Sequence, residues 1–496
     1  MFRDGRKVEP GTALDFDVCI LGAGAAGITL ARALSSAGRT LALVESGGFE
    51  YEKATQALYE GTNEGTLLVP RARYLTAGRR RFFGGTTNHW TGWCRPLDPI
   101  DFEQRPWLDD SGWPFGRSEL DPYYRRAAEV VEIRPFDESP DVTGQERGRG
   151  LPEGGRFVTR YFHLSPPTRF GQRYRAELES AADIEVFLHS NATWLTAAAD
   201  GGAIESVQVA TLEGGRFNIR ARRFVVALGG VENARLLLLS DDVHAGGFGN
   251  QHDLVGRYFM DQPHLAAARI VFPGGPIDIS RWRPYRSDAL GHRVFGVFCP
   301  REEVLREERM LNQSFELRRA DDEDLSPEAA DLATAAGLLS GGETSDRVDL
   351  FDLWARAESR PRRDSRVTLG AERDALGLRR VHLDWRIDPE DRAHIRRAAE
   401  LFARDLGRFS AARVRVVWDP ERLWRGSWGG HHHLGTTRMH DDPRQGVTDA
   451  DCRVHGVRNL YVAGSSLFPT YGYANPTLTL VALALRLADH LEATLR

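Results

Sequence analysis

The chain has 496 residues, of which 41% are hydrophobic and 27% charged, with a formal charge of −5. At roughly 150 residues per domain this is two to three domains of ordinary globular material, and the acidic balance argues against general nucleic-acid binding. No apolar run approaches the ~18 residues of a membrane span, residues 1–16 carry no signal core, and Cys19, Cys94, Cys299 and Cys452 form no CxxC, so the expectation is a cytoplasmic protein with neither a disulfide framework nor a zinc site.

From Asp17 the sequence reads DVCILGAGAAGITLARAL. The apolar run 18–21 predicts a buried strand, Gly22, Gly24 and Gly27 form G-x-G-x-x-G, and a helical pattern follows through Leu34. The glycines permit a tight turn, close approach to a pyrophosphate and close packing of helix on strand, with the helix N-terminus facing the negative charge. A second strand, LALVE, ends at Glu45, placed to hold a ribose hydroxyl. At this point FAD and NAD fit equally, since both carry adenosine ribose.

Further along, the loop 71–81 carries Arg79, Arg80 and Arg81, read either as a solvated basic face or as phosphate contacts. RFVVALGGVENARLLLLS, residues 223–240, predicts a second strand–turn–helix. It is either one more β-α unit of the sheet or a place where Gly229 and Gly230 admit the adenosine end of the same cofactor. Residues 319–347 are acidic and alanine-rich, a surface excursion serving as lid or oligomer contact. Residues 366–387 read as two strands around a turn.

The run GGHHHLGTTRMHDDPRQG, residues 429–446, is internal and patterned, which excludes a purification tag. In an extended segment His432 points opposite to His431 and His433. Three consecutive histidines therefore cannot converge on one ion, no acidic partner stands at ligand spacing, and no metal is expected. Residues 460–463 predict a short strand broken by Gly464. The last helix starts near Pro476 with Asn475 at the N-cap, its positive end toward whatever lies there.

Taken together, GAGAAG with Glu45, FGGTTNHWTGW (residues 83–93), HHHLGTTRM, GVRNLYVAGSSLFPT and NPTLT resemble the glucose-methanol-choline (GMC) family of FAD-dependent alcohol oxidoreductases. Within it the chain is most similar to the pyranose-oxidase branch, which includes bacterial enzymes acting on sugars and C-glycosides. The resemblance implies an α/β (α+β overall) fold, with a Rossmann-like FAD-binding domain and a second domain built on an antiparallel sheet. The FAD-binding domain would be discontinuous, over residues 13–50, 190–262 and 428–496. Flavin-proximal loops and a lid would fill 51–189 and the substrate-binding domain 263–427, with 366–387 in its antiparallel sheet.

The same resemblance makes His432, three residues before Gly435, the catalytic base and Asn475 its partner. It gives FAD contacts to Gly22, Gly24, Gly27 and Glu45, to Gly85, Asn88, His89, Trp90 and Thr91, and to Gly229, Gly464, Pro476 and Thr477. His89 stands where the branch carries a covalent flavin link, but Asn88 departs from that pattern, which favours non-covalent FAD. A histidine of ordinary pKa near 6.5 suits proton abstraction from an alcohol, and an amide orients the hydroxyl. The expected reaction is oxidation of a secondary hydroxyl, at C2 or C3, of a pyranose sugar or glycoside, a C-glycoside included. Electrons would pass to O2 or another acceptor, with neither nucleic acid nor membrane involved. The alternatives are a polyol or primary alcohol substrate, or a non-redox FAD-binding lyase. Oligomeric state has no signature in the sequence.

Overall fold

A computed structural model describes residues 1–35, 38–65, 73–137, 155–273, 277–319, 348–410, 412–416 and 428–495. Two large sheets organise them. The first has eight strands in the order Phe2–Asp4, Ile184–Leu188, Leu41–Val44, Ala13–Leu21, Arg216–Val226, Ile204–Ala210, Asn191–Ala197, with Leu460–Val462 also paired to Arg216–Val226. The five pairings among Phe2–Asp4, Ile184–Leu188, Leu41–Val44, Ala13–Leu21, Arg216–Val226 and Leu460–Val462 are parallel, and the remaining two are antiparallel. Leu41–Val44 and residues 18–21 are fully buried and continuously apolar, as a parallel strand covered on both faces must be. The helices Ala25–Leu34 and Thr477–Thr494 pack into the same core. This sheet also recruits Phe2–Asp4 and Ile184–Leu188, which lie outside the ranges expected for the FAD-binding domain.

The second sheet has nine strands and is wholly antiparallel. Its order runs Arg413–Val416, Pro263–Pro273, Val348–Ala357, Gln313–Arg319, Arg293–Pro300, Phe157–Leu164, Trp93–Cys94, with Tyr285–Arg286 and Trp428–Gly429 at its margins. One face is covered by the helix Pro389–Phe409. That helix starts cleanly because Asp388 caps it and Pro389 suits its first turn. Its buried residues Ile395, Ala398, Phe402 and Leu406 recur at helical spacing and close a core with Phe315, Leu317, Leu353 and Ala355. The strands Trp93–Cys94 and Phe157–Leu164 come from the region expected to form loops and a lid.

The hairpin predicted over 366–387 forms, as Arg366–Arg373 against Arg379–Trp385. It does not join the nine-stranded sheet. It builds a separate three-stranded sheet with Gly61–Gly65, and Val367, Val381, Leu383 and Trp385 are buried in the core of the first sheet. The alternation of these apolar residues is satisfied by either neighbour, so the pattern gives the hairpin but not its partner. The acidic excursion lies outside the described residues from 320 onward. No helix among the described residues is long and apolar enough to cross a membrane, and all four cysteines are buried and unpaired.

Candidate active site

A cleft of about 1460 Å³, its open mouth included, runs from the turn after Ala13–Leu21 to the histidine run. The three glycines of the fingerprint divide their work. Gly22 has φ +105°, and a Cβ there would stand 2.6 Å from the Ala227 carbonyl oxygen; on Gly27 it would meet the Gly22 carbonyl oxygen at 1.8 Å. These two permit strand and helix to pack. Gly24 meets nothing within 4 Å and faces the cleft. It also stands at the N-cap of Ala25–Leu34 with no side-chain cap, leaving the first-turn amides to the cleft. Gly229 and Gly464 are likewise open where they border it. A Cβ at any of the three would fill a cradle shaped for a dinucleotide.

Glu45 is buried beside this cradle, where its carboxylate accepts the amides of Ala23 at 2.9 Å and Gly47 at 3.1 Å. Burial raises its pKa, and the two amides and Arg81 counter that. Arg79, Arg80 and Arg81 line the cleft, so the solvated-face reading does not hold. Arg79 is buried on Glu232 at 2.8 Å and over the Tyr59 ring. Burial opposes ionisation of Glu232, but Arg235, Arg79 and Arg81 outweigh it and hold its carboxyl down to about 2. Gly229 both turns the second β-α unit and borders the cleft, so its two readings coincide; Gly230 instead packs against the His433 carbonyl.

Gly85, Trp90, Pro476 and Thr477 also line the cleft, whereas Gly27, Asn88, His89 and Thr91 do not. The Asn88 amide is spent on the carbonyls of Phe83 and Gly85. Partial burial, Arg80 and His431 bring the His89 imidazole down to about 4.

At the far end of the cleft the three histidines alternate. His432 points to one side, where its Nδ1 lies 3.2 Å from Gln262 Oε1 and its Nε2 lies 3.3 Å from the Asn475 amide nitrogen. Gln262 Nε2 donates to the Gly472 carbonyl at 3.4 Å, so its oxygen faces His432 and also His264 Nε2 at 3.1 Å. An amide oxygen only accepts, so His432 carries its proton on Nδ1 and presents a bare Nε2. Burial, then His431 and Arg356, lower its pKa to about 3, so the ring is neutral at any pH near 7.

Asn475 does not cap the last helix. The cap position is Pro476, with Leu480 bonded back to the Pro476 carbonyl at 2.9 Å. The Asn475 amide is therefore free for the site, and its Oδ1 is buried without a partner among the described residues.

His431, at φ +55°, and His433 face the other way, toward Asp261. Their ligand atoms and an Asp261 oxygen lie within 4.8 Å of one another, an arrangement the sequence spacing did not foresee because the acid comes from a distant segment. Both Asp261 oxygens are already engaged. One accepts the Tyr74 hydroxyl at 2.6 Å, and the other accepts the backbone amides of His432 at 2.8 Å and Gln262 at 2.7 Å. Asp261 thus anchors the segment that presents His432. His431 Nδ1 and His433 Nε2 are buried on the cleft wall with no hydrogen-bond partner among the described residues. Asp261, Gln262 and His264 carry no sequence motif that could have singled them out.

Residues 361–484 match the family model described as GMC oxidoreductase, and residues 17–247 match that described as FAD dependent oxidoreductase. The chain is 27% identical to 6'''-hydroxyparomomycin C oxidase of Streptomyces lividus, over 99% of this chain and 94% of that protein. It is 26% identical to paromamine 6'-oxidase of Streptomyces fradiae, over 95% and 90%. To the C-glycoside 3-oxidase of Microbacterium trichothecenolyticum it is 26% identical, over 82% and 74%. The crystal structure of pyridoxine 4-oxidase from Mesorbium loti shares the fold, with a TM-score of 0.61 at 19% identity over 96% and 98% of the two chains.

Proposed function

This chain belongs to the GMC oxidoreductase family and is an FAD-dependent enzyme acting on alcohol groups, and on that premise we propose that it oxidises a secondary ring hydroxyl, at C2 or C3, of a pyranose or glycoside to the ketone. The relatives named as C-glycoside 3-oxidase favour this reading. The observation that carries it is the His432–Asn475 pair, held by Gln262 at the end of the dinucleotide cleft. A second reading, oxidation at an exocyclic position, is favoured by the relatives whose names carry a 6 position.

FAD held in the cradle that Gly24, Gly229 and Gly464 leave open would supply the acceptor for the hydride of the carbinol carbon. The chain's own residues handle the oxygen. A substrate hydroxyl takes the place of the Asn475 amide on His432 Nε2 and gives its proton there, while the displaced amide hydrogen-bonds the oxygen as negative charge develops. A neutral imidazole is far too weak a base to hold an alcohol as its alkoxide beforehand, so the proton leaves as the C–H bond breaks. The Gln262 carbonyl and the Nδ1 proton it holds keep the ring oriented throughout.

The test is anaerobic mixing of the holoenzyme with D-glucose and, separately, a C-glycoside, following the visible flavin band and identifying the product. Bleaching with a ring ketone as product is the expected result. A yellow protein bleached by neither would sink the pyranose reading, and an aldehyde product would select the exocyclic one.

A further inference from the structure

The face of the nine-stranded sheet opposite the helix Pro389–Phe409 carries a charge arrangement that oxidation of a neutral alcohol leaves unused. Alternation along Gln313–Arg319 and Val348–Ala357 buries Phe315, Leu317, Leu353 and Ala355 against that helix, and so turns Ser314, Glu316, Trp354 and Arg356 to the other side. The register runs Ser314 to Arg356 to His264 across three strands. His264 shares the Gln262 oxygen with His432, which places Arg356 in the row beside the catalytic pair.

Arg356 is only 3% exposed and lies over the Trp93 ring at 3.8 Å. One of its nitrogens, Nη2, donates to Glu316 at 2.9 Å. Its Nε and Nη1 are buried without a partner among the described residues. The same Glu316 oxygen accepts from Arg318 at 3.1 Å, so one carboxylate serves two guanidiniums. The neighbouring pair on this face, Arg269 with Asp352 at 3.1 Å, is balanced. Among these residues one positive charge is in excess, shared between buried Arg356 and partly exposed Arg318. Leaving a buried guanidinium with two idle donors is unfavourable. Neutral hydroxyls would satisfy the donors but not the charge; a carboxylate does both.

We propose that Arg356 recognises a carboxylate on the substrate, so that the enzyme takes an acidic pyranoside in preference to its neutral counterpart. This rests on the pyranose reading above. The carboxylate sits either on the sugar, as in a uronic acid, or on the aglycone.

The experiment measures binding to the FAD-loaded enzyme by thermal shift, and flavin bleaching separately, with methyl β-D-glucoside, methyl β-D-glucuronide and 4-carboxyphenyl β-D-glucoside. One of the two acids is expected to bind about tenfold tighter than the methyl glucoside or more, and which one tells where the carboxylate lies. The preference should shrink in high salt and vanish in Arg356→Gln, while Arg356→Lys keeps part of it. Equal or weaker binding of both acids by the natural protein overturns the proposal, as does a preference that survives Arg356→Gln. If that variant does not fold, the salt-sensitive preference of the natural protein decides alone. Tighter binding of an acid with no pyranoside oxidised would sink the reaction and leave the carboxylate site standing; oxidation of the glucoside with no preference would do the reverse.

Discussion

Gln262 fixes the tautomer of His432: its amide oxygen, turned inward because its nitrogen donates to Gly472, accepts from Nδ1 and leaves Nε2 bare toward Asn475. Replacing it with leucine removes the acceptor and frees the ring to rotate or change tautomer. Flavin reduction in Gln262→Leu should slow by up to about 100-fold, the scale of a misplaced catalytic group. Gln262→Glu places a negative charge on Nδ1–H, which favours the imidazolium and raises its pKa. The acid limb of kcat/KM should then move to higher pH. Unchanged pH profiles in both variants would show that Gln262 only fills space.

His432→Ala should reduce the rate of flavin bleaching by roughly 10²–10⁴-fold. Asn475→Ala should cost on the order of 10²–10³-fold, since it removes the amide that meets the developing charge. The double variant should be little worse than His432→Ala, because the two act as a unit. Rapid-mixing absorbance on FAD-saturated protein reads all three, and full activity in His432→Ala would remove the base from the mechanism.

The fingerprint glycines should separate folding from cofactor binding. A Cβ on Gly27 overlaps the Gly22 carbonyl, whereas one on Gly24 projects into open cleft. Gly27→Ala is expected to destabilise the apoprotein by at least about 1–3 kcal/mol, as overpacking does. Gly24→Val should leave the apoprotein melting temperature near its natural value and weaken FAD. Apoprotein calorimetry alongside FAD titration checks both, and equal melting temperatures for the two variants would contradict the division.

Arg105 and Glu358 form a two-pronged ion pair at 2.8 and 2.6 Å with both side chains wholly buried, and Glu358 also accepts the Asn312 amide. Glu358→Gln leaves the guanidinium buried and uncompensated, a loss of about 3–5 kcal/mol. Urea denaturation should show it; a change under 1 kcal/mol (roughly the value of an exposed pair) would mean that the site relaxes.

Stability should fall with acid. His432 is held down to about 3 and His89 to about 4, while His264 and His433 also lie well below their ordinary value, with burial the largest cause in each. The unfolded chain therefore binds these protons first, so the stabilisation is complete above about pH 6.5 and declines as pH falls toward the folded values. Asp101 and Asp391, raised by burial to about 8 and about 6, have the opposite sign, because folding retains a proton that the unfolded chain has lost. His292, His394 and His440 are lowered too, and Glu45 and Asp261 raised, so seven histidines against four carboxylates decide the direction. The melting temperature should drop between pH 6.5 and 5, more gently after His264→Phe, and a flat curve would refute the assignment.

The N-terminal part of the dinucleotide cradle was legible because it is local: strand, glycines, helix and Glu45 lie within 29 residues, 17 to 45, whereas Gly229 and Gly464 come from far along the chain. His432 stood out by its motif, although the alternation of the three histidines is reached with His431 at φ +55° and not by an extended backbone. What surrounds them did not, because Asp261 and Gln262 arrive from about 170 positions away and sit in no patterned stretch. Arg79 looked like a surface charge for the same reason, since its partner Glu232 is 153 positions distant. Asn475 misled in a different way. Its residue type is ideal for a cap, but the helix begins one residue later, and only the backbone shows that its side chain is not spent on a cap.

The strand Arg216–Val226 changes neighbours along its length. Its first half lies against Ile204–Ala210, and residues 224–226 are bordered instead by Leu460–Val462, while Ala13–Leu21 runs beside it throughout. During synthesis the upper edge of the sheet therefore stays bare until residue 462 has left the ribosome, with more than 230 residues made in between. Gly464 and the first turn of the last helix, which wall the cleft, arrive later still. FAD capture is thus a late event in the life of each new molecule, and a nascent chain stalled before the histidine run would carry the fingerprint yet have no closed pocket in which to keep the cofactor.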